Sequence, residues 1–202
     1  MHSGSNTLFS TSYLPPIEYM AIVANCGNIA IEKEESYPKQ TYRNRCVIMT
    51  ANGLQNLTIP VVKPNGNNTK TKDILILNSD HWHINHWRAI SSAYSGSPFF
   101  LYYKDELEPY FEGSYDNLLE FNSALLKELF SLLGLEYNLV YTDTFIPPSN
   151  DQLINDYRYS ISPKNSTVNI QFDEYTQVFS NKYAFEPNLS ILDLLFNLGP
   201  ET

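Results

Sequence analysis

Apolar runs and turn-forming residues alternate through residues 8–31 in an order that few folds accommodate. An apolar run at residues 8–10 precedes the Pro15-Pro16 pair, a helically spaced segment at residues 17–24 and another apolar run at residues 29–31. Proline is tolerated at the start of a helix because its missing N–H would have no partner there. The order predicts a βαβ unit. It also puts residues 13–16 at the carboxyl end of the first strand, where open α/β sheets bind ligands.

A hairpin is predicted at Asn52-Gly53, because this dipeptide accepts the positive φ angles of a two-residue turn. The dipeptide separates apolar runs at residues 46–49 and 57–62. Pro60 cannot donate a ladder hydrogen bond, so it places the second strand at a sheet edge or at a bulge. Residues 74–77 predict a buried strand, and the alternating residues 137–141 predict a further strand.

Helical patterns follow from residue 80. One segment with helically spaced leucines and phenylalanines lies between the polar residues 114–117 and Gly134. The last helical segment lies between Pro187 and Gly199. We therefore predict an α/β fold that forms a single domain over residues 1–202. It has a mixed sheet with an N-terminal βαβ unit and a hairpin, and helices dominate its C-terminal half. Residues 1–7 are predicted to be a flexible leader.

The acidic balance of the chain limits its partners. The 13 Lys and Arg residues against 22 Asp and Glu residues give a net charge of −9, which repels nucleic acid and anionic membranes. No signal peptide or membrane-spanning run is visible, and Cys26 and Cys46 lack the spacing of a disulfide scaffold or a CxxC motif. We expect a cytoplasmic protein with reduced, buried thiols and no membrane span.

Residues 39–45 are an exception to this balance, with three of the basic residues and no acid. If residues 42–45 are extended, Arg43 and Arg45 point to one side and can hold a phosphate or carboxylate bidentately. The alternative is that both are surface partners of the acidic residues at positions 32–35. The sequence has no nucleophile elbow, phosphate-binding glycine loop or dinucleotide fingerprint. Its cofactors are therefore unknown, and a nucleotide would have to be held by side chains and helix ends.

Three of the four histidines lie within residues 81–86. Imidazole is a common metal ligand, so one interpretation is a metal site on His81, His83 and His86. A helix that starts at a Ser79 or Asp80 cap would instead bring the last two onto one face and turn the first away.

The helical interpretation also aligns Trp82 with His86, four residues later, on an aromatic ridge that packs against the core or lines a pocket. A histidine on such a ridge is more often a hydrogen-bonded structural residue. The functional alternative is that partial desolvation beside Trp82 gives His86 a proton affinity suited to acid–base catalysis near neutral pH.

Five segments in order along the chain resemble the WbqC-like protein family: Tyr13-Leu-Pro-Pro-Ile-Glu-Tyr19, Tyr42-Arg-Asn-Arg45, Leu57-Thr-Ile-Pro-Val61, Trp82-x-x-x-His86, and Ala93-Tyr94 followed by Pro98-Phe99. Residues 177–185 and 188–197 are similar to the C-terminal half of the family's shorter, Bacteroides-type branch, so the resemblance covers nearly the whole chain. Members commonly carry a His-Gln-Pro or similar polar triplet before Tyr-Leu-Pro. The matching positions in this chain are Ser10-Thr11-Ser12, so the candidate catalytic histidine of that triplet is absent.

The resemblance implies a role in surface-polysaccharide or O-antigen biosynthesis. The leading hypothesis is a cytosolic transferase of an amino-acyl or acyl group to a sugar or sugar nucleotide. In this hypothesis the catalytic residues are His86, which moves the proton, and Tyr13. The residues that bind an anionic small molecule or sugar nucleotide are Arg43, Asn44, Arg45 and Trp82.

Two other hypotheses are retained. The chain is alternatively a non-catalytic binding module or assembly partner for a glycan precursor or a protein. A third hypothesis is a metal-dependent enzyme that uses His81, His83 and His86.

Overall fold

The computed structural model describes residues 7–148, 155–164, 168 and 170–202. The strands are β1 (Thr7–Phe9), β2 (Asn28–Ile31), β3 (Arg45–Thr50), β4 (Gly53–Thr58), β5 (Val61–Val62), β6 (Leu75–Ile76), β7 (Asn138–Tyr141) and β8 (Asn155–Asp156). The helices are α1 (Ile17–Ala24), α2 (Trp82–Tyr94), α3 (Phe100–Leu107), α4 (Pro109–Glu112), α5 (Leu118–Leu132) and α6 (Ile191–Leu198).

A parallel sheet of four strands has the order β7-β2-β1-β8. The path from β1 through α1 to β2 is the predicted βαβ unit, which is confirmed, and α1 begins directly after the Pro15-Pro16 pair. Thr7, which the sequence assigned to a flexible leader, is the buried first residue of β1. The rest of that predicted leader lies outside the described residues.

The antiparallel strands form two separate pairs, β3 with β4 and β5 with β6. The hairpin at Asn52-Gly53 is confirmed, with Gly53 at φ 98°. The strand predicted at residues 57–62 is divided, because β4 ends at Thr58 and β5 pairs with β6 instead. Pro60 lies at the break, where its missing N–H cannot continue a ladder. The α/β class is confirmed.

β6 is shorter and less buried than the strand predicted at residues 74–77. Leu75 and Leu77 are each 41% exposed, whereas Ile74 and Ile76 are buried. An antiparallel pair that is covered on one face shows this alternation, whereas a strand covered on both faces does not.

α2 begins without a side-chain cap. His81, the residue before it, has left-handed backbone angles of φ 48° and ψ 33°, and Ser79 and Asp80 lie in a preceding 3-10 turn. The predicted cap at residue 79 or 80 is therefore wrong. The apolar ridge of α2 is confirmed, and its buried residues are Trp82, His86, Ile90, Ala93 and Tyr94.

Both C-terminal helices that were predicted from start and stop signals, α5 and α6, are confirmed. The Asn117 side chain caps α5 by accepting a hydrogen bond from the Glu120 N–H, and Gly134 follows α5 with φ 63°. Ser190 caps α6 in the same way, through the Leu192 N–H.

The start of α6 is also bonded to the loop that follows β1. The Ile17 N–H donates to the Leu189 carbonyl, and the Ile191 N–H donates to the Pro15 carbonyl. α1 and α6 are therefore held together by backbone bonds as well as by packing.

One apolar core joins residues from the parallel sheet, the hairpin and the helices, including Phe9, Ile48, Phe121 and Phe196. Cys46 is buried in this core and Cys26 is half-buried, and both are free thiols. Within the part of the chain that the structure describes, no helix has the length and apolar character needed to cross a membrane.

Candidate functional site

The loop between β1 and α1 holds Tyr13 and is buried from Thr11 onward. The Tyr13 N–H donates to the Tyr42 carbonyl at 2.8 Å. The Asn122 amide nitrogen donates to Thr11 Oγ1 at 3.1 Å and to the Arg43 carbonyl at 2.7 Å. These bonds attach the loop to the turn before β3 and to α5.

Tyr13 and His86, the two predicted catalytic residues, are in direct contact. The Tyr13 hydroxyl and Nδ1 of His86 are 2.9 Å apart, and both side chains are buried. Trp82 lies against both rings, with centroid distances of 5.2 Å to His86 and 6.4 Å to Tyr13. Three of the residues that the sequence selected therefore form one aromatic cluster inside the protein.

Burial keeps this pair neutral at pH 7. Desolvation lowers the pKa of His86 to about 4. A hydrogen bond to the Thr58 backbone raises this pKa in part, and the nearby His83 lowers it further. Burial also raises the pKa of Tyr13 well above its ordinary value. A neutral imidazole has one donor and one acceptor, so Tyr13 donates to Nδ1 and the protonated nitrogen faces the Thr58 carbonyl. Burial moves the pKa of His86 away from the near-neutral value that the functional alternative requires, and the bond to Tyr13 favours the alternative of a hydrogen-bonded structural residue.

The other two histidines diverge from His86. His81 is exposed in its left-handed position before α2, and His83 is half-buried, with 6.3 Å between the two ring centroids. No three His, Cys, Asp or Glu side chains among the described residues are grouped to hold a metal ion. The predicted site on His81, His83 and His86 is therefore wrong, because His86 turns into the core and uses Nδ1 to bind Tyr13.

Arg43 points into the protein. Residues 42–44 form a turn and β3 begins at Arg45, so the extended segment assumed for the two arginines is wrong. Arg43 Nε donates to Glu35 Oε1 at 2.8 Å, and Nη2 lies 2.7 Å from the same oxygen. Of the two alternatives, pairing with the acidic segment holds for Arg43, but the pair is buried rather than on the surface.

Asn44 lines a cleft of 350 Å³, which we call the basic cleft. Its amide nitrogen donates to the Ile59 carbonyl at 2.8 Å, which fixes the side chain at the cleft wall. The lining residues are Tyr37, Lys39, Gln40, Asn44, Val61 and Lys63.

Positive charge dominates the basic cleft. Burial and the neighbouring Lys39 ammonium lower the pKa of Lys63, which shows that the two cations act on each other. Nζ of Lys63 donates to a neutral group, the Tyr37 carbonyl, at 3.1 Å. Among the described residues no carboxylate forms an ion pair with either lysine. The charge of this cleft is therefore available to a ligand.

Two buried donors beside the basic cleft lack partners among the described residues, namely the Tyr37 hydroxyl and Nε of Arg45. Tyr37 is only 4% exposed. Burial raises the pKa of its hydroxyl, whereas the charges of Arg43 and Arg45 lower it, so both guanidinium groups lie within electrostatic reach. Both atoms are enclosed, so an anion would bond to them only after the wall of the cleft shifts. An unpaired buried donor costs about 1–3 kcal/mol, which favours such a shift.

Sequence reasoning placed Lys39 and Asn44 in a basic segment but missed Tyr37 and Lys63. Tyr37 stands two residues before Lys39, and its proximity to the basic run was a usable signal. Lys63 gave no local signal, because it follows β5 and reaches the cleft only when the chain folds.

A second charged cluster, also missed, lies at the carboxyl edge of the parallel sheet. Arg158, just after β8, binds Asp156 through Nε at 2.9 Å and Nη2 at 2.6 Å, and its Nη1 lies 3.3 Å from Glu32. Glu32 follows β2 and also accepts from the Thr142 hydroxyl, after β7, at 2.7 Å. These groups use one another as partners, so the cluster ties strand ends together and is not open to a ligand.

The WbqC-like protein family matches the chain at residues 11–164 and 161–202. The chain is also similar to uncharacterized protein Rv1507c of Mycobacterium tuberculosis, at 30% identity over 220 aligned residues that cover 96% of this chain and 94% of that protein. No solved structure matches the chain. The family match includes the aromatic cluster and every residue that lines the basic cleft.

Proposed function

The chain belongs to the WbqC-like protein family, and from that premise we propose that it binds a phosphate- or carboxylate-bearing small molecule in the basic cleft. The proposed ligand is a sugar nucleotide or a comparable anionic sugar derivative. The proposed reaction is transfer of an acyl or amino-acyl group to a sugar during surface-polysaccharide assembly.

One observation carries the proposal: the charges of Lys39 and Lys63 are unpaired among the described residues, beside two buried donors without partners, Tyr37 and Arg45. The molecule has a net charge of −9, so its long-range field repels anions. Salt screens that field beyond about 8 Å at physiological ionic strength. The local cations therefore decide whether an anion is held at this cleft.

The anion site is tested by isothermal titration calorimetry with UDP-glucose and with inorganic phosphate. We expect Lys63→Gln to weaken UDP-glucose binding about tenfold or more, because a hydrogen bond to a charged group contributes about 1.5–3 kcal/mol. Lys164→Gln is the matched control, since it removes the same charge from an exposed residue outside the cleft. Failure of UDP-glucose and phosphate to bind, or equal binding by the Lys63 variant, would overturn the proposal.

The second candidate, a non-catalytic binding module, is favoured by the burial of Tyr13 and His86. A base with a pKa of about 4 and a phenol with a raised pKa exchange protons poorly at neutral pH. In our proposal this pair positions the loop beside α2 and does not move protons. Mass spectrometry of sugar nucleotides incubated with acyl and amino-acyl donors separates the candidates: binding without product identifies a module, whereas product that requires Lys63 identifies a transferase.

A further inference from the structure

Another cleft, with a volume of 670 Å³, shares no lining residue with the basic cleft. We call it the sheet-edge cleft. The charged and aromatic residues that line it are Lys33, Tyr110, Glu120, Lys127, Glu128 and Tyr141.

Its position is set by two neighbouring parallel strands. Tyr141 is the last residue of β7 and pairs in register with Ile31, the last residue of β2, and Lys33 follows shortly after. α5 forms a wall, with residues 119, 120, 123, 124, 127 and 128 lining the cleft. Residues spaced in this way lie on one face of a helix. Ligands of open α/β sheets bind at this carboxyl edge.

Two half-buried tyrosines, Tyr110 and Tyr141, supply aromatic surface to the sheet-edge cleft. The Tyr110 hydroxyl donates to Glu128 Oε2 at 3.0 Å, which restrains the orientation of the ring. Ser123, also in the lining, donates its hydroxyl proton to the Leu119 carbonyl at 2.6 Å and so offers only lone pairs to a ligand. A ligand here meets aromatic surface together with fixed polar atoms.

The charges in the sheet-edge cleft cancel. Lys33 and Lys127 are balanced by Glu120 and Glu128, and none of the four forms an ion pair with another described residue. These four side chains offer hydrogen-bond donors and acceptors beside the aromatic wall. Their charges sum to zero, so the cleft does not select an anion or a cation. A ligand that suits this set is uncharged, carries many hydroxyl groups and has an apolar face.

We propose that the sheet-edge cleft binds a neutral sugar ring, with the C–H face of the sugar against Tyr110 and Tyr141 and its hydroxyl groups within reach of Lys33, Glu120 and Lys127. Aromatic rings remove such an apolar face from water, and charged hydrogen-bonding groups fix the orientation of the hydroxyls. This site goes beyond the anion site of the basic cleft, and it stands whether or not the anion site does.

The test is a titration of the ¹⁵N-labelled protein, followed by NMR, with the methyl glycosides of glucose, galactose and N-acetylglucosamine. We expect at least one glycoside to shift the amide signals of Lys33, Ala124 and Tyr141. Tyr110→Ala should weaken that binding about tenfold, as expected for the loss of an aromatic contact worth up to about 1.5 kcal/mol. Tyr102→Ala is the matched control, because Tyr102 is 74% exposed on α3.

Glu120→Ala is a second test, in case Tyr110→Ala weakens binding only because the protein misfolds. Glu120 is exposed, and its side chain forms no hydrogen bond or ion pair with another described residue. This substitution should also weaken binding several-fold. The inference is overturned if none of the three glycosides shifts these amides, or if Tyr110→Ala and Glu120→Ala both bind as tightly as the parent protein. Binding that Lys63→Gln abolishes while Tyr110→Ala leaves it unchanged would assign the sugar to the basic cleft and overturn it too.

Discussion

At the scale of single residues, Tyr13 and His86 show how burial decides the chemistry of a residue type. A partly solvated histidine beside a tryptophan would titrate near neutral pH, and that behaviour was one of the two alternatives that the sequence left open. In the fold the imidazole lies against the rings of Tyr13 and Trp82, and its Nδ1 accepts a hydrogen bond from the Tyr13 hydroxyl. The pair thus holds the loop after β1 against α2.

This arrangement predicts a pH dependence of stability. The pKa of His86 is about 4 in the folded protein against an ordinary 6.5, so below pH 6.5 the unfolded chain binds a proton that the folded protein does not. Its contribution to stability is present above pH 6.5 and lost as the pH falls toward 4. One pKa unit is about 1.4 kcal/mol, so the loss is about 3 kcal/mol.

Urea unfolding measured between neutral pH and about pH 4 checks this dependence. The carboxylates also titrate there, so the comparison is between the parent protein and His86→Gln, which keeps an acceptor for Tyr13 but does not titrate. The parent should lose more stability over this range than the variant. Equal losses would show that His86 is not the titrating group.

At the scale of elements, the segment after β2 links distant parts of the chain. Its three buried carboxylates each pair with at least one cation from another segment of the chain. Glu32 pairs with Arg158, Glu34 with Lys70 and Lys72, and Glu35 with Arg43. The acidic run recognised in the sequence is therefore a structural junction at the sheet edge and not a solvated surface.

Arg158 is the critical cation of this junction because its side chain is fully buried and it binds two carboxylates. We expect Arg158→Met to lower the free energy of unfolding by about 3–5 kcal/mol, because it leaves buried charges without a partner. Arg88→Met is the control, since Arg88 is exposed on α2. Urea unfolding measures both, and a loss in the Arg158 variant no larger than that in the control would contradict this role.

At the scale of the whole molecule, the first and last parts of the chain share one core. Phe9 of β1 and Phe196 of α6 belong to the same buried cluster, and the start of α6 is bonded to the loop after β1. The family match is divided near residues 161–164, yet the packing crosses this division.

We therefore expect residues 1–202 to unfold in one cooperative step. Fluorescence of Trp82 and Trp87 reports on the α2 region, and far-UV circular dichroism reports on all helices. The two unfolding curves in urea should coincide, as they do for a single cooperative domain. A separate early transition in one signal would contradict the single-domain prediction.

The elements with local signals could be predicted from the order of the amino acids. The βαβ unit, the Asn52-Gly53 hairpin and the capped helices α5 and α6 were predictable, because proline, glycine and capping residues act on their immediate neighbours. Helical spacing also paired Trp82 with His86, and the family resemblance added Tyr13 to them.

The chemistry open to the selected residues depends on how distant segments pack together. Contacts between different segments of the chain decide whether Arg43 pairs with Glu35 or with a ligand. They also decide whether the His86 side chain is exposed to solvent and whether Lys63 lies near Lys39. Those contacts set desolvation and charge pairing, which shift pKa values from those typical of the residue type and decide which side chains are available to a ligand. Local sequence signals therefore specified the framework, whereas long-range packing left positive charge exposed in the basic cleft and enclosed the Tyr13–His86 pair.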